Sequence, residues 1–140
     1  MGKDPEPKHV MVVNDTPDIL ALFEDLLGEE GYRVTTDRFT IELTEMLVRV
    51  KELRPDLLVL DYRIGGEDQG WQFLQLLKMD RETRGIPIIV CTGAVRQVEE
   101  LRPHLDEMGV AVVLKPFDID HLLAVIGKAL EQAPEQPLPS

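Results

Sequence analysis

Five polar residues stand at the ends of short apolar runs in this 140-residue chain: Asn14, Asp15, Asp61, Thr92 and Lys115. Short β-branched runs bounded by turn signals predict strands that are buried on both faces of a parallel sheet. The carboxyl ends of such strands meet at one edge, where ligands bind. The five side chains, although distant in sequence, are therefore predicted to converge on one site.

Two of these residues, Asp15 and Asp61, are carboxylates that repel each other at short range unless a cation or a proton lies between them. An oxygen-only cluster suits a hard ion, so we predict a Mg²⁺ site. With a cation bound, one carboxylate can attack a phosphorus atom, because the metal, a lysine ammonium and a hydroxyl neutralise the phosphoryl oxygens. Asp61, Lys115 and Thr92 supply these parts.

Strand patterns and helix patterns alternate along the chain. The predicted strands are His9–Val13, Tyr32–Thr36, Leu57–Leu60, Pro87–Cys91 and Val110–Leu114. The first predicted helix has Thr16 as its N-cap and Pro17 in its first turn, and Gly31 ends it. The next three are Ile41–Leu53, Trp71–Met79 and Arg96–Met108. Asp118 caps the last helix, whose core face is Leu122, Leu123, Ile126 and Leu130. Five such units predict an open, doubly wound α/β fold.

Three local features carry predictions of their own. Pro103 removes a backbone donor within the fourth helix, which we expect to be kinked or split there. Cys91 lies in an apolar strand and is predicted to pack as a small hydrophobe. His9, His104 and His121 lack metal-ligand spacing and are expected at the surface.

Composition limits the class of protein. We predict one domain over residues 9–131, with polar, proline-containing tails at residues 1–8 and 132–140. The net charge of −11, from 26 acidic and 15 basic residues, disfavours direct nucleic-acid binding. No apolar stretch is long enough to span a bilayer, which favours a cytoplasmic protein without membrane contact.

Four motifs occur in order: VMVVND at 10–15, DLLVLD at 56–61, IPIIVCTGA at 86–94 and VLKPF at 113–117. Each alone is common, since Asp15 could cap a helix, Asp61 could begin a turn and Lys115 could be a solvated cation. Together they resemble the receiver domain of two-component response regulators. The resemblance implies a flavodoxin-like (CheY-like) fold, in which five helices flank a five-stranded parallel sheet of order 2-1-3-4-5.

The resemblance also implies roles for single residues. Asp61 would accept a phosphoryl group from a histidine kinase or phosphotransfer protein, and Asp15, Asp61 and the backbone carbonyl of Arg63 would bind Mg²⁺. Thr92 would hydrogen-bond the phosphoryl group and shift inward on phosphorylation. Lys115 would pair with a phosphoryl oxygen, and Pro116 would follow a cis peptide bond.

The sequence departs from the family pattern at several positions. Asn14 stands where the family usually has an acid that reaches the metal through water, so weaker Mg²⁺ affinity is expected. Val112 stands where an aromatic residue often reports the movement of the threonine. The loop that follows Asp61 lacks the usual proline. Arg63 could screen the phosphoryl group from water, which predicts slow autodephosphorylation.

Three functions follow from this resemblance. The first is a stand-alone receiver, not an enzyme, that signals to an unknown downstream protein through its fourth helix, fifth strand and fifth helix, a face that could also form a dimer. The second is a degenerate receiver that acts as a phosphorylation-independent interaction module. The third is an aspartyl-phosphate phosphohydrolase, but such enzymes typically have a second Asp where this chain has Arg63.

Overall fold

A computed structural model describes residues 7–38, 42–60, 69–93, 95–115 and 118–132 of the chain, without the side chains of residues 95–98 and 132. Within these residues no helix is both long and apolar enough to cross a membrane. The expected features at Asp61, Arg63 and Pro116, and most of the expected tails, lie outside the described residues.

Strands and helices alternate throughout the described residues, as the sequence predicts. The strands are β1 (His9–Val13), β2 (Arg33–Asp37), β3 (Leu57–Leu60), β4 (Ile88–Thr92) and β5 (Ala111–Leu114). The helices are α1 (Pro17–Glu29), α2 (Leu43–Leu53), α3 (Gln69–Met79), α4 (Val95–Met108) and α5 (Ile119–Gln132).

The strands form one parallel sheet in the order β2-β1-β3-β4-β5, which confirms the expected topology. Strand β1 lies between β2 and β3, where Val10 is in register with Val34 and Leu57. At the other edge Thr92 is in register with Leu114. This order places the carboxyl ends of β1, β3, β4 and β5 next to one another.

Each face of the sheet has its own hydrophobic core, because successive strand residues point to opposite faces. On one face Met11, Leu58 and Val90 pack with the buried side chains of α2, α3 and α4, including Phe73. On the other face Val12 and Val59 pack with α1 and α5. Cys91 is buried in this second core, as predicted.

Helix ends follow the local chemistry of the sequence. Thr16 is the N-cap of α1 and Pro17 its first residue, although the Thr16 side chain makes no capping hydrogen bond. Gly31 has φ +92° just beyond the C-cap, a conformation that glycine adopts at little cost. At α5 the Asp118 carboxylate accepts the backbone N–H of Asp120 at 3.3 Å, as its predicted role requires.

The fourth helix was expected to be kinked or split at Pro103, and it is not split, because α4 continues through this residue. A kink at Pro103 stays a prediction. A proline deprives the carbonyl four residues earlier of its hydrogen bond. That residue is Glu99, and both it and Pro103 are exposed, so water can hydrate the carbonyl. The helix therefore tolerates the proline on its solvent side.

The expectation that His9 lies at the surface is wrong, whereas His104 and His121 are exposed as expected. His9 is buried in β1, and its Nε2 lies 2.7 Å from the Thr35 hydroxyl. Its Nδ1 lies 3.3 Å from the guanidinium of Arg33, and its backbone N–H donates to the Asp56 carboxylate. Two residues of β2 thus contact the imidazole, while Asp56, just before β3, holds the backbone N–H at the amino-terminal edge.

Stability is expected to fall in mild acid because of His9. Burial and the Arg33 guanidinium lower its pKa below 6.5, although Asp56 and the carbonyl of Leu53 oppose them. A folded-state pKa below the unfolded value gives stability that is complete above pH 6.5 and is lost as the pH falls towards the folded pKa. Urea unfolding between pH 5 and 7.5 should show this loss.

The matched variants for this measurement are His9→Gln and His121→Gln. His9→Gln should flatten the pH dependence of the unfolding free energy, while His121→Gln, at an exposed site, should leave it unchanged. If the wild-type and His9→Gln curves stayed parallel over this range, the pH dependence would come from other groups.

Candidate functional site

Four of the five polar residues singled out from the sequence lie at the carboxyl edge of the sheet. Asn14 and Asp15 follow β1, Thr92 ends β4 and Lys115 follows β5. Strand β3, between β1 and β4, ends at Leu60, and the next residue, Asp61, lies outside the described residues. The structure therefore brings together the described members of the predicted set.

A hydrogen-bonded turn shapes the chain after β1. Asn14 is buried, its backbone N–H donates to the carbonyl of Asp37 at 3.0 Å, and its Oδ1 accepts the Thr16 N–H at 2.8 Å. This turn is a common use of asparagine before a helix. The Thr16 hydroxyl donates to Oδ1 of Asp15 at 3.3 Å. The turn thus fixes the backbone on either side of Asp15 and leaves that carboxylate exposed.

Thr92 and Lys115 form the other side of the edge. The Thr92 side chain is fully buried and that of Lys115 is partly buried. The Lys115 backbone N–H donates to the carbonyl of Thr92 at 2.9 Å, which extends the β4–β5 ladder by one bond. Gly93 lies beside Lys115, and a Cβ at position 93 would make an ordinary van der Waals contact with the Lys115 Cβ at 3.8 Å.

The donor chemistry fits a hard cation. Asp15 offers exposed carboxylate oxygens, the ligand type that Mg²⁺ prefers. The Asn14 oxygen already accepts a backbone N–H, so its hold on a cation would be weak. Within the described ranges no three His, Cys, Asp or Glu side chains are grouped to hold a metal.

Sequence reasoning missed two contributors to this edge. Asp37, the last residue of β2, accepts the Asn14 N–H through its carbonyl and pairs with Arg49 through its carboxylate. Thr16 orients the Asp15 carboxylate. The Asn-Asp-Thr-Pro order could have indicated the turn at Thr16, but no local signal marks Asp37, whose contact depends on sheet pairing.

This combination of sheet order and edge residues defines an open α/β protein whose ligand site lies at the carboxyl ends of its strands. A sequence model of the response regulator receiver domain matches residues 10–127. The chain belongs to this family of two-component signalling domains, as its sequence motifs suggested.

Individual relatives agree with this assignment. The polar-differentiation response regulator DivK of Brucella anthropi is 31% identical over 128 residues, which cover 91% of this chain and 99% of DivK. A sensor protein from Polaromonas sp. JS666 shares the fold with a TM-score of 0.76 and 21% identity, covering 93% of this chain and all of that one.

Another structure of similar fold is the receiver domain of the sensor histidine kinase PA1611 from Pseudomonas aeruginosa. It has a TM-score of 0.72 and 21% identity over 90% of this chain and 99% of its own. That structure has a magnesium ion coordinated in its active site cleft.

Proposed function

We propose that this chain is a phosphorylatable receiver that takes a phosphoryl group onto Asp61 in a Mg²⁺-dependent reaction and signals through protein contacts. The observation that carries the proposal is the convergence of Asp15, Thr92 and Lys115 at the carboxyl edge. Strand β3 lies between β1 and β4, and Asp61 follows its last residue in sequence. This place in the sequence, directly after the strand between β1 and β4, supports Asp61 as the acceptor.

In the proposed step an Asp61 carboxylate oxygen forms a bond to phosphorus while the donor's phosphorus–nitrogen bond breaks, and the electron pair of that bond stays on the donor imidazole. Lys115 pairs with a phosphoryl oxygen, and the Thr92 hydroxyl hydrogen-bonds to another. A bound Mg²⁺ would neutralise charge on the phosphoryl oxygens. Asp15, Asp61 and the Arg63 carbonyl would hold it, with Asn14 acting weakly through water.

Two departures from the family pattern modify the proposed switch. Arg63 would screen the aspartyl phosphate from water and slow its hydrolysis. Val112 is partly buried on β5 and packs against the core that includes α4. It stands where the family often has an aromatic residue that reports the movement of Thr92, and a valine cannot report it in that way. The switch would then act through α4 and the loop before it. The contacts of Thr92 would differ only slightly between the unphosphorylated and the phosphorylated state.

We place the protein in the cytoplasm, and the proposed partners are a histidine kinase or phosphotransfer protein upstream and a protein target downstream. The name of the DivK relative supports a signalling role of this kind. The face formed by α4, β5 and α5 is the proposed output surface and the proposed dimer contact. The acidic net charge of −11 argues against nucleic acid as the direct target.

Asn14→Asp should raise Mg²⁺ affinity by about tenfold at low salt, because it adds a negative charge beside Asp15 and ligand charge strengthens cation binding. The new carboxylate can still accept the Thr16 N–H that Asn14 now accepts. Isothermal titration with MgCl₂ measures the change. Gln72→Glu adds the same charge at an exposed site on α3 and should have little effect. Unchanged affinity in Asn14→Asp would place the cation elsewhere.

The competing function is a phosphorylation-independent interaction module. One observation favours it: Asn14 supplies no charge, and its oxygen is engaged by the Thr16 N–H. The retained Asp15, Thr92 and Lys115 favour phosphorylation instead. The third function, an aspartyl-phosphate hydrolase, requires turnover of phosphomonoesters. Incubation with p-nitrophenyl phosphate tests it, and no release of coloured p-nitrophenol would argue against this function.

The deciding experiment is incubation of the full chain with acetyl phosphate, with and without Mg²⁺, followed by intact mass spectrometry. A Mg²⁺-dependent adduct of one phosphoryl group is expected in the wild type and in Asp25→Asn, a variant at an exposed aspartate of α1. Asp61→Asn should show none. The decay rate of the adduct tests the Arg63 hypothesis. Absence of an adduct with acetyl phosphate and phosphoramidate would favour the interaction module.

A further inference from the structure

Strand β2 lies at one side of the sheet, and its sequence is Arg33-Val34-Thr35-Thr36-Asp37. In the described part of the sheet it pairs with β1 alone. We call the side of β2 that faces away from β1 the β2 edge. Every residue of this strand is at least partly exposed. An edge strand of this kind can pair with a further strand through its main chain.

The hydrogen bonds to β1 show which backbone groups of β2 face outwards. Both end residues bond towards β1: the N–H of Arg33 donates at 2.8 Å and the carbonyl of Asp37 accepts at 3.0 Å. Because successive residues of a strand direct their backbone groups to alternate sides, Thr35 also faces β1. The N–H and C=O groups of Val34 and Thr36 therefore face the β2 edge, where a further strand could bond to them.

The sequence of β2 is complementary to itself when two copies run antiparallel about Thr35. In that register Arg33 of each copy lies opposite Asp37 of the other, and Val34 lies opposite Thr36. Opposite charges and β-branched side chains stabilise an antiparallel pair when they face each other across it. A shift of either strand by two residues would separate Arg33 from Asp37, so charge selects this register.

The same register also satisfies the outward backbone groups. Val34 of one copy and Thr36 of the other would exchange both N–H···O=C bonds, and the two-fold axis at Thr35 repeats this pair. Arg33 and Asp37 would then form the pairs without mutual hydrogen bonds, in which opposing side chains approach most closely. Backbone direction and side-chain charge therefore favour one and the same arrangement.

The surroundings of β2 extend this complementarity. Tyr32, which is partly buried, would lie opposite the exposed Arg38 of the second copy, and a guanidinium is attracted to an aromatic ring. On α2, Arg49 pairs with the Asp37 carboxylate and so lies beside the β2 edge. Arg49 shares a groove of about 370 Å³ with Val48, which is 51% exposed. A second copy beside β2 would therefore lie next to an exposed apolar side chain.

The contacts within one copy are compatible with this pairing. Arg33 contacts the ring of His9 through one N–H group of its guanidinium, which has several more to donate. Asp37 pairs with Arg49 through Oδ2, and a carboxylate can accept several hydrogen bonds. The arginine of a second copy would therefore join an existing charge network without replacing its members.

We propose that the β2 edge binds a second copy of this chain, so that two sheets join through antiparallel β2 strands. The proposal goes beyond the proposed function, whose dimer contact lies at the opposite side of the sheet, on β5. None of the residues that pair across the β2 edge belongs to the set proposed for phosphorylation. Association is therefore expected without phosphorylation and in the Asp61→Asn variant.

Sedimentation velocity of the unphosphorylated full chain from about 10 to 500 µM measures this association. Salt at about 0.15 M keeps the Debye length near about 8 Å and screens the net charge of −11 that repels a second copy. The dimer fraction should rise with concentration. Over the same range hydrogen exchange at the Val34 and Thr36 amides should slow at least about threefold, whereas exchange at the Met11 amide of the central β1 should not change.

Thr36→Pro is the most direct variant. Proline removes the outward N–H of position 36 but no hydrogen bond of the β1–β2 ladder, and sheet edges tolerate proline for this reason. Self-association should weaken at least about tenfold, with thermal unfolding used to check the fold. Thr36→Val keeps the N–H and should associate like the wild type.

Charge reversal gives a second test, with a built-in rescue. Arg33→Asp alone or Asp37→Arg alone sets like charges opposite each other and should weaken self-association at least about tenfold. An equal mixture of these two variants should associate again, because each copy then faces opposite charges. Arg81→Asp makes the same change at an exposed site after α3 and should leave association unchanged.

Three results would overturn the proposal: a monomer over the whole concentration range, association that is insensitive to Thr36→Pro, or no recovery in the charge-reversed mixture. A dimer whose exchange changes lie on β5 and α5 would place the contact at the opposite side of the sheet, and the proposal would be wrong. None of these results bears on phosphorylation of Asp61, which intact mass reports separately.

Discussion

Replacing Asp15 with alanine is expected to slow the Mg²⁺-dependent phosphorylation of this chain by about a hundredfold or more. Asp15 presents its carboxylate to solvent at the end of β1, and the Thr16 hydroxyl orients it. Its removal would take a charged oxygen ligand from the cation without disturbing the core. The initial rate of adduct formation with acetyl phosphate over a range of Mg²⁺ concentrations measures the effect.

The control for this prediction is Asp18→Ala, which removes the same charge from an exposed position in the first turn of α1. Its rate should stay within about twofold of the wild type, because exposed charges beyond the immediate ligands are screened by salt. Equal slowing of both variants would mean that the general acidic field attracts the cation, and Asp15 would lose its assigned role.

The largest expected loss of stability comes from Phe73→Ala. Phe73 is fully buried on α3 and belongs to the core that joins α2, α3 and α4 to the sheet. Truncation of a buried aromatic side chain costs about 3–5 kcal/mol, because it removes transfer free energy and leaves a cavity. That cost is a large share of a domain's total stability, which is about 5–15 kcal/mol. Urea unfolding followed by circular dichroism measures it.

Met79→Ala on the same helix is the matched comparison. Met79 is 79% exposed, so its truncation should change the unfolding free energy by no more than about 0.5 kcal/mol. Phe73→Leu, which keeps most of the volume, should fall between the two. A loss below about 1.5 kcal/mol for Phe73→Ala would show that the core collapses around the gap.

The fold was largely predictable because its strands are buried on both faces. Leu57–Leu60 is apolar throughout, and its observed bounds match the predicted ones. Strand β2 lies at the sheet edge with partly exposed residues, and its observed bounds, Arg33–Asp37, lie one residue beyond those expected. Edge strands mix polar and apolar residues, so their ends carry a weaker signal.

Local sequence is a weak guide where tertiary surroundings outweigh residue type. A histidine is usually exposed, but His9 begins a central strand and has polar neighbours on β2 to satisfy its ring. A proline usually ends a helix, but Pro103 lies on the solvent side of α4. Neither neighbourhood can be read from a local window of sequence.

The residues of the candidate site were easier to predict than their geometry. Strand ends identify Asp15, Thr92 and Lys115, because sheet topology alone brings them to one edge. Strand ends do not predict the direction of the Asn14 side-chain oxygen, because that oxygen accepts a backbone N–H within a turn. The sequence predicts which residue types lie at the carboxyl edge, whereas hydrogen bonds determine which side-chain oxygens can face a bound ligand.

The bond from the Lys115 N–H to the Thr92 carbonyl makes one amide proton an internal reporter of this edge. An amide in such a bond exchanges with solvent only when the local structure opens. Because the two residues are joined through their backbones, a displacement of the end of β4 must either carry the chain after β5 with it or break this bond. Hydrogen exchange at Lys115 would thus tell joint movement from separation.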